Sequence, residues 1–245
     1  MNTTMRTFVT ELRKEKRTGV IPLMLSVGIL GAAYAFVFFL VRKDTLLNLP
    51  LAPMDVLLTQ VYGMIMVLNM FGIIVAACMI YNMEFKGSAI KKMYMLPTSV
   101  LVMYFYKFLI LTTMLLIVII FQNLALTQIG LADLPQGTFE FRALLSFAGY
   151  SFITSMPVLS FMVFVSSRFE NMWVPLGIGV GGFLSGMASA MPDNTLLCVH
   201  PFVVMLKPAV AMSAQPDIIV VCFSLVETAV FLFAGLWAAK NLCYE

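Results

Sequence analysis

The chain has 245 residues, of which 61% are hydrophobic and only 11% charged, with a formal net charge of +3. Soluble domains carry about 25% charged residues, so there is too little polar surface here to face water all round, and a water-soluble globular domain is excluded. The class that fits is an all-α polytopic membrane protein; the mild basic excess is absorbed by membrane topology and makes no case for nucleic acid.

Residues 1–19 are polar and basic, with Arg6, Arg13, Lys14, Lys16 and Arg17. Met5, Phe8, Val9 and Leu12 fall at i, i+3, i+4 and i+7 and share one helical face, with charges on the other. The pattern predicts an N-terminal amphipathic helix lying in the membrane interface, the alternative being a frayed basic tail. Gly19 and Pro22 mark the turn into the bilayer.

Residues 20–245 then read as one transmembrane domain of six spans, at about 20–41, 56–81, 100–121, 143–166, 172–191 and 218–239. Asn69 lies inside the second, and Pro157 is expected to kink the fourth. Lys107, two turns into the third, is expected to snorkel to the surface. Gln122–Arg142 reads as a polar loop broken by Pro135 and Gly137. Between the fifth and sixth spans, Pro192, Pro201, Pro208 and Pro216 surround an apolar stretch, Phe202–Leu206. It is too short to cross and too apolar for a simple loop. It either dips into the bilayer and returns or packs over the helix ends.

Six spans place both termini on one side. Of the fifteen Lys and Arg residues, eleven fall on the side of the termini and four (Arg42, Lys43, Arg142 and Lys207) on the other. The bias predicts cytoplasmic termini. Four cysteines form no framework: Cys78, Cys222 and Cys243 lie in or near spans, Cys198 is expected to face outward alone, and no disulfide is predicted.

The connector between spans two and three, Glu84–Ser99, reads EFKGSAIKKMYMLPTS and is the one internal polar break with a basic cluster, Lys86, Lys91 and Lys92. It is either a solvated loop that sets topology or a short helix along the membrane face on which a cytosolic partner could push. Glu227 is the one acid near the middle of a span. At that depth an ionised carboxylate costs about 2.5–3.5 kcal/mol and must face protein or water. It could contact a second subunit, line a substrate path, or bond a neighbouring Ser or Thr. Gly177/Gly181 and Gly182/Gly186 have the spacing that lets helices approach closely, and no strand precedes them to make a phosphate loop. The twenty methionines suit adaptable packing or a path for an apolar ligand. With His200 the only histidine, and no metalloprotease, nucleophile-elbow or Walker motif in the chain, neither catalysis nor a metal or cofactor is expected of it.

The order of parts, with TELRKEKRTG at the start, EFKGSAIKKMYMLPTS after the second span and a proline-broken segment before the last, resembles the six-helix permeases of ABC exporters of the ABC-two type. Glu84, Gly87, Lys91 and Pro97 match that family's acid, glycine and proline-ended basic stretch. Ser167–Gly186, SRFENMWVPLGIGVGGFLSG, is similar to the corresponding stretch of lantibiotic-immunity permeases, with Glu170 standing where relatives often carry a basic residue. The resemblance implies a half-transporter: two cytosolic ATPase subunits that bind ATP and Mg, a second related permease, and an antimicrobial peptide as substrate. It implies a coupling helix in which Glu84, Phe85, Lys86, Gly87, Ile90, Lys91, Lys92 and Pro97 engage the ATPase. It also implies a substrate path at the permease seam, near Asn69, Gly177, Gly181 and Glu227. The alternatives are a permease for another drug or lipid, or a non-transporting scaffold or sensor.

Overall fold

The computed structural model describes residues 12, 15, 18–85, 100–135, 137–190, 198–211 and 213–241, and among these all regular secondary structure is helical. Gly19 adopts the left-handed conformation, φ 82°, and turns the chain into α1, Val20–Leu47. Pro22 is tolerated in the first turn of α1, where backbone N–H groups have no intrahelical acceptor. A short turn, Pro53–Asp55, and a π-helical segment, Val56–Val61, run directly into α2, Tyr62–Phe85. Then come α3, Val100–Asp133; α4, Phe141–Ser166; α5, Trp173–Ser189; α6, Pro201–Val210; and α7, Ile218–Asn241.

Five stretches are long and apolar enough to cross a membrane: Val20–Leu46, Pro53–Phe85, Val100–Asp133, Phe141–Ser166 and Ile218–Lys240. The expected fifth span is a shorter apolar helix, α5, of 17 residues, about 25 Å at 1.5 Å per residue. The segments on either side of α5 and α6 are tied to different parts of α2 and its lead-in. Ser166, the last residue of α4, bonds Cys78 near the C-terminal end of α2. The segment before α7 is tied to the opposite end, where the Ala214 N–H donates to Asp55 Oδ1 at 2.8 Å.

The largest departure from the sequence pattern is α3. Gln122–Asp133, expected as loop, continues the helix without a break. Ile119, Gln122, Leu126 and Ile129 extend the inward stripe at three- and four-residue spacing, so burial carries the helix through the polar pair Gln122–Asn123.

The core forms two clusters. One, toward the end of the bundle from which the 86–99 connector leaves, gathers Val20, Met24, Ile73, Tyr81, Tyr104, Leu111 and Met162. The other gathers Phe39, Val56, Tyr62, Leu126, Phe147 and Val220. Helix α6 lies where they meet: Phe202, Met205 and Leu206 belong to the first, Val204 to the second. Eight of its ten residues are buried. It packs among α2, α4, α5 and α7, inside the bundle and not over the helix ends. Cys198, expected to face outward, is fully buried just before it; Cys78, Cys198 and Cys222 are free thiols. The outward faces of α1 and α7 present Leu30, Leu40, Val226, Phe233 and Trp237, as helices in contact with lipid do.

Of the N-terminal segment, Leu12, Glu15 and Thr18 are described, and all are helical. Glu15 is buried and accepts a hydrogen bond from Thr18 Oγ1 at 2.9 Å, so this acid does not belong to a solvated polar face. Met5, Phe8 and Val9 lie outside the described residues.

Candidate functional site

The connector leaves from Phe85, the last residue of α2, and re-enters the structure at Val100, the first of α3. Lys86, Gly87, Ile90, Lys91, Lys92 and Pro97 lie outside the described residues. What the structure places is the clamp that holds both ends. Phe85, Val100 and Leu101 all pack against the same hydrophobic cluster.

Between them sits Lys107. Its side chain does not run to the surface as expected; it is buried. The ammonium pairs with Glu84 Oε1 at 2.8 Å, donates to the Ile80 carbonyl at 3.2 Å, and lies 4.8 Å from the centre of the Tyr81 ring. Ile80, Tyr81 and Glu84 occupy the last turns of α2, the negative end of its helix dipole, where a cation is favoured. Each partner compensates the other's desolvation. Removing one from a buried pair costs about 3–5 kcal/mol, because the survivor keeps its charge and loses its partner. Glu84, expected to engage an ATPase, is thus turned toward α3.

Next to this clamp, a cavity of about 320 Å³ opens between α2 and α5, lined by Thr18, Val75, Cys78, Met79, Asn82, Met83, Met172 and Leu176. Three thioethers and a thiol make its wall soft and adaptable. At the nearby start of α5, the Asn171 carboxamide oxygen accepts the Trp173 N–H at 3.0 Å.

The residues expected along a substrate path occupy three separate places. Asn69 points from α2 to α3 and exchanges two hydrogen bonds with Gln122, at 2.9 and 2.7 Å, deep in the interior. Tyr62, fully buried, places its hydroxyl beside Asn69 and Ser151. Glu227 is on α7, 8% exposed, and neither carboxylate oxygen has a partner among the described residues. It faces protein, as expected of an acid at that depth. The glycines of α5 divide between two faces. A Cβ added at Gly182 or Gly186 would collide with Phe202 of α6, and one at Gly179 with Ile74 of α2, whereas none at Gly177 or Gly181 would meet anything within 4 Å. The inward glycines seat α5 against α2 and α6; the outward pair leaves a shallow, unfilled strip on the bundle surface.

Sequence reasoning missed the roles of Lys107 and Gln122, the first assigned to snorkelling and the second to a loop. The signal for Lys107 was present: an acid one residue from the end of α2 and a lysine two turns into α3, opposite in sign and on helices joined by a short connector.

The long apolar helices flank a short basic connector, and a family model described as ABC-2 family transporter protein matches residues 7–186. The chain belongs to the ABC-2 family of transporter proteins. It is a multi-pass membrane permease of an ABC transporter, and the family implies partnership with an ATPase subunit. No curated protein and no solved structure matches the chain. The matched stretch of this ABC-2 permease holds α1–α4, the connector and most of α5, and ends at Gly186, where α5 meets α6.

Proposed function

We propose that this permease is one half of an ATP-driven exporter that expels lantibiotic-like antimicrobial peptides from the membrane and so gives immunity or resistance. It works with two cytosolic ATPase subunits, which hold ATP and Mg, and with a second related permease. Supporting the exporter reading is the match of family and connector. Supporting the peptide is the similarity of Ser167–Gly186 to lantibiotic-immunity permeases.

In this reading Phe85, Lys86, Gly87, Ile90, Lys91, Lys92 and Pro97 form the coupling helix on the cytoplasmic side, Glu84 secures it from behind, and α5 is a sixth, short crossing. The ATPase performs the phosphoryl transfer; the permease converts a rigid-body push into a change of access. Nothing moves unless ATP binding favours one access state over the other. The outward strip at Gly177 and Gly181 is the seam for the second permease, where small residues let helices close up. The cavity between α2 and α5 gives the peptide's apolar side chains a first foothold.

The test is purification of the tagged chain from its own membranes. The expected result is an ATPase and a second permease in the eluate, the ATPase lost on Lys91→Glu with Lys92→Glu, and ATP hydrolysis stimulated by a lanthionine peptide. An intact chain that brings down no ATPase overturns the exporter. Stimulation by an unrelated drug or lipid, with none by the peptide, reassigns the substrate.

A further inference from the structure

We propose that Lys107 is a positioning residue for energy coupling: its ion pair with Glu84 fastens the beginning of the connector to α3, so that a push on the connector moves α2 and α3 as one body. The inference rests on the coupling-helix reading above and adds to it the route by which the load leaves that helix.

Four observations carry it. Lys107 is 1% exposed, so its charge is committed to the interior and cannot trade partners with solvent. All the contacts of its ammonium named above fall on one short stretch, Ile80–Glu84, the last two turns before the connector begins. Lys107 is itself anchored in the core, with Tyr104 and Leu111 buried one turn to either side. Finally, α3 is a continuous helix of 34 residues, about 51 Å long. At its far end Asp133 is ion-paired to Lys43 of α1.

Without the clamp, a displaced connector reaches α3 only through the backbone entering at Val100, and the two helix ends can part. With it, the last turn of α2, from which the connector leaves, and the second turn of α3 share one charge pair, and the displacement is delivered to a rod that runs the length of the bundle. The pair has the chemistry of a strut: short, ionic, sheltered from salt, and directional through the added carbonyl contact.

The experiment uses the complete complex with its ATPase. Native cysteines are replaced by serine, and one cysteine is placed at Leu131, an exposed position near the far end of α3. Maleimide labelling is timed without nucleotide and after trapping with Mg-ATP and vanadate. We expect a nucleotide-dependent change in rate for the wild-type pair, kept by Lys107→Arg and reduced about tenfold by Lys107→Met, in the range of ordinary coupling factors. Glu84→Gln, which removes only the charge, does the same, and the double change is no worse than either single one, as for two ends of one contact. If Lys107→Met does not assemble, Glu84→Gln decides alone. A full nucleotide response in either charge-removing variant overturns the proposal, and so does a wild-type complex whose residue 131 ignores nucleotide. Failure of the wild-type chain to hold an ATPase at all is a different result and sinks the exporter reading.

Discussion

Asn69 and Gln122 face each other across α2 and α3 and donate in both directions, each carboxamide nitrogen to the other's oxygen, at 2.9 and 2.7 Å. Both are buried. A reciprocal pair satisfies each amide where water is absent, and it fixes the rotation of one helix against the other. Such bonds inside membranes average about 0.6 kcal/mol, with a maximum of about 1.7, whereas an orphaned buried amide costs about 1–3 kcal/mol. Asn69→Leu should therefore lower stability by about 1–2 kcal/mol, and Asn69→Leu with Gln122→Leu should recover most of it. Unfolding of the detergent-solubilised chain by a denaturing detergent measures both. Recovery in the double variant identifies the pair as a packing device; continued loss of transport in that stable double variant assigns Asn69 a place on the substrate path.

Gly186 predicts the fate of α6. A Cβ there would stand 2.8 Å from the Phe202 Cβ and 3.3 Å from its carbonyl carbon, so backbone must move and no side-chain rotation relieves it. Gly186→Val should cost about 1–3 kcal/mol, the usual range for overpacking, and push α6 outward. Cys198, fully buried just before α6, is the reporter: in a chain with the other cysteines replaced it should resist maleimide, and Gly186→Val should make it reactive. Equal protection in both chains contradicts the wedge arrangement.

The opposite behaviour is expected of the other α5 glycines. A Cβ at Gly177 or Gly181 meets nothing within the chain, so on substitution by leucine stability should change by no more than about 0.5–1 kcal/mol, with the gain in helix propensity favouring the variant. If that strip is the permease seam, pairing should nevertheless fail. Cross-linking of tagged permeases in membranes reads this directly, and unaltered pairing moves the seam elsewhere.

The number of crossings has its own test. With α5 as a crossing, a reporter fused after Glu245 and one inserted between Ser88 and Ala89 should both report the cytoplasm, while one at Asp44 should report the opposite side. If α5 does not cross, the reporter after Glu245 switches sides and the one in the connector does not. That single disagreement distinguishes five crossings from six.

Much of the fold was legible because apolar runs of more than about twenty residues admit few structures in a bilayer. The starts of α1, α3 and α7 are already marked by Gly19, Pro97 and Pro216. The end of α3 was not, because Gln122 and Asn123 look like loop residues until their partners are known. Asn69 satisfies the first, and the second donates to the Ile119 carbonyl. Lys107 was misread although its signal stood in the chain: a lysine near a helix end snorkels unless an acid on another helix reaches it, and Glu84, just across the connector, does. The glycine spacing of α5 correctly indicated close contact, but it could not say which pair faces α6 and which faces outward. That depends on the rotation of α5, which Phe202 and Ile74 decide.

The shortness of α6 bears on how the protein is made. Ten residues cover about 15 Å, half of a hydrocarbon layer about 30 Å thick, so the insertion machinery has no reason to retain this segment on its own account. Its shelter is assembled from α2, α4 and α5, which are synthesised before it, and from α7, which emerges afterwards. During translation α6 must wait, partly uncovered, for the last helix to arrive and close the wall. A released chain truncated before Ile218 should leave α6 open to protease, and restoring α7 should end that exposure.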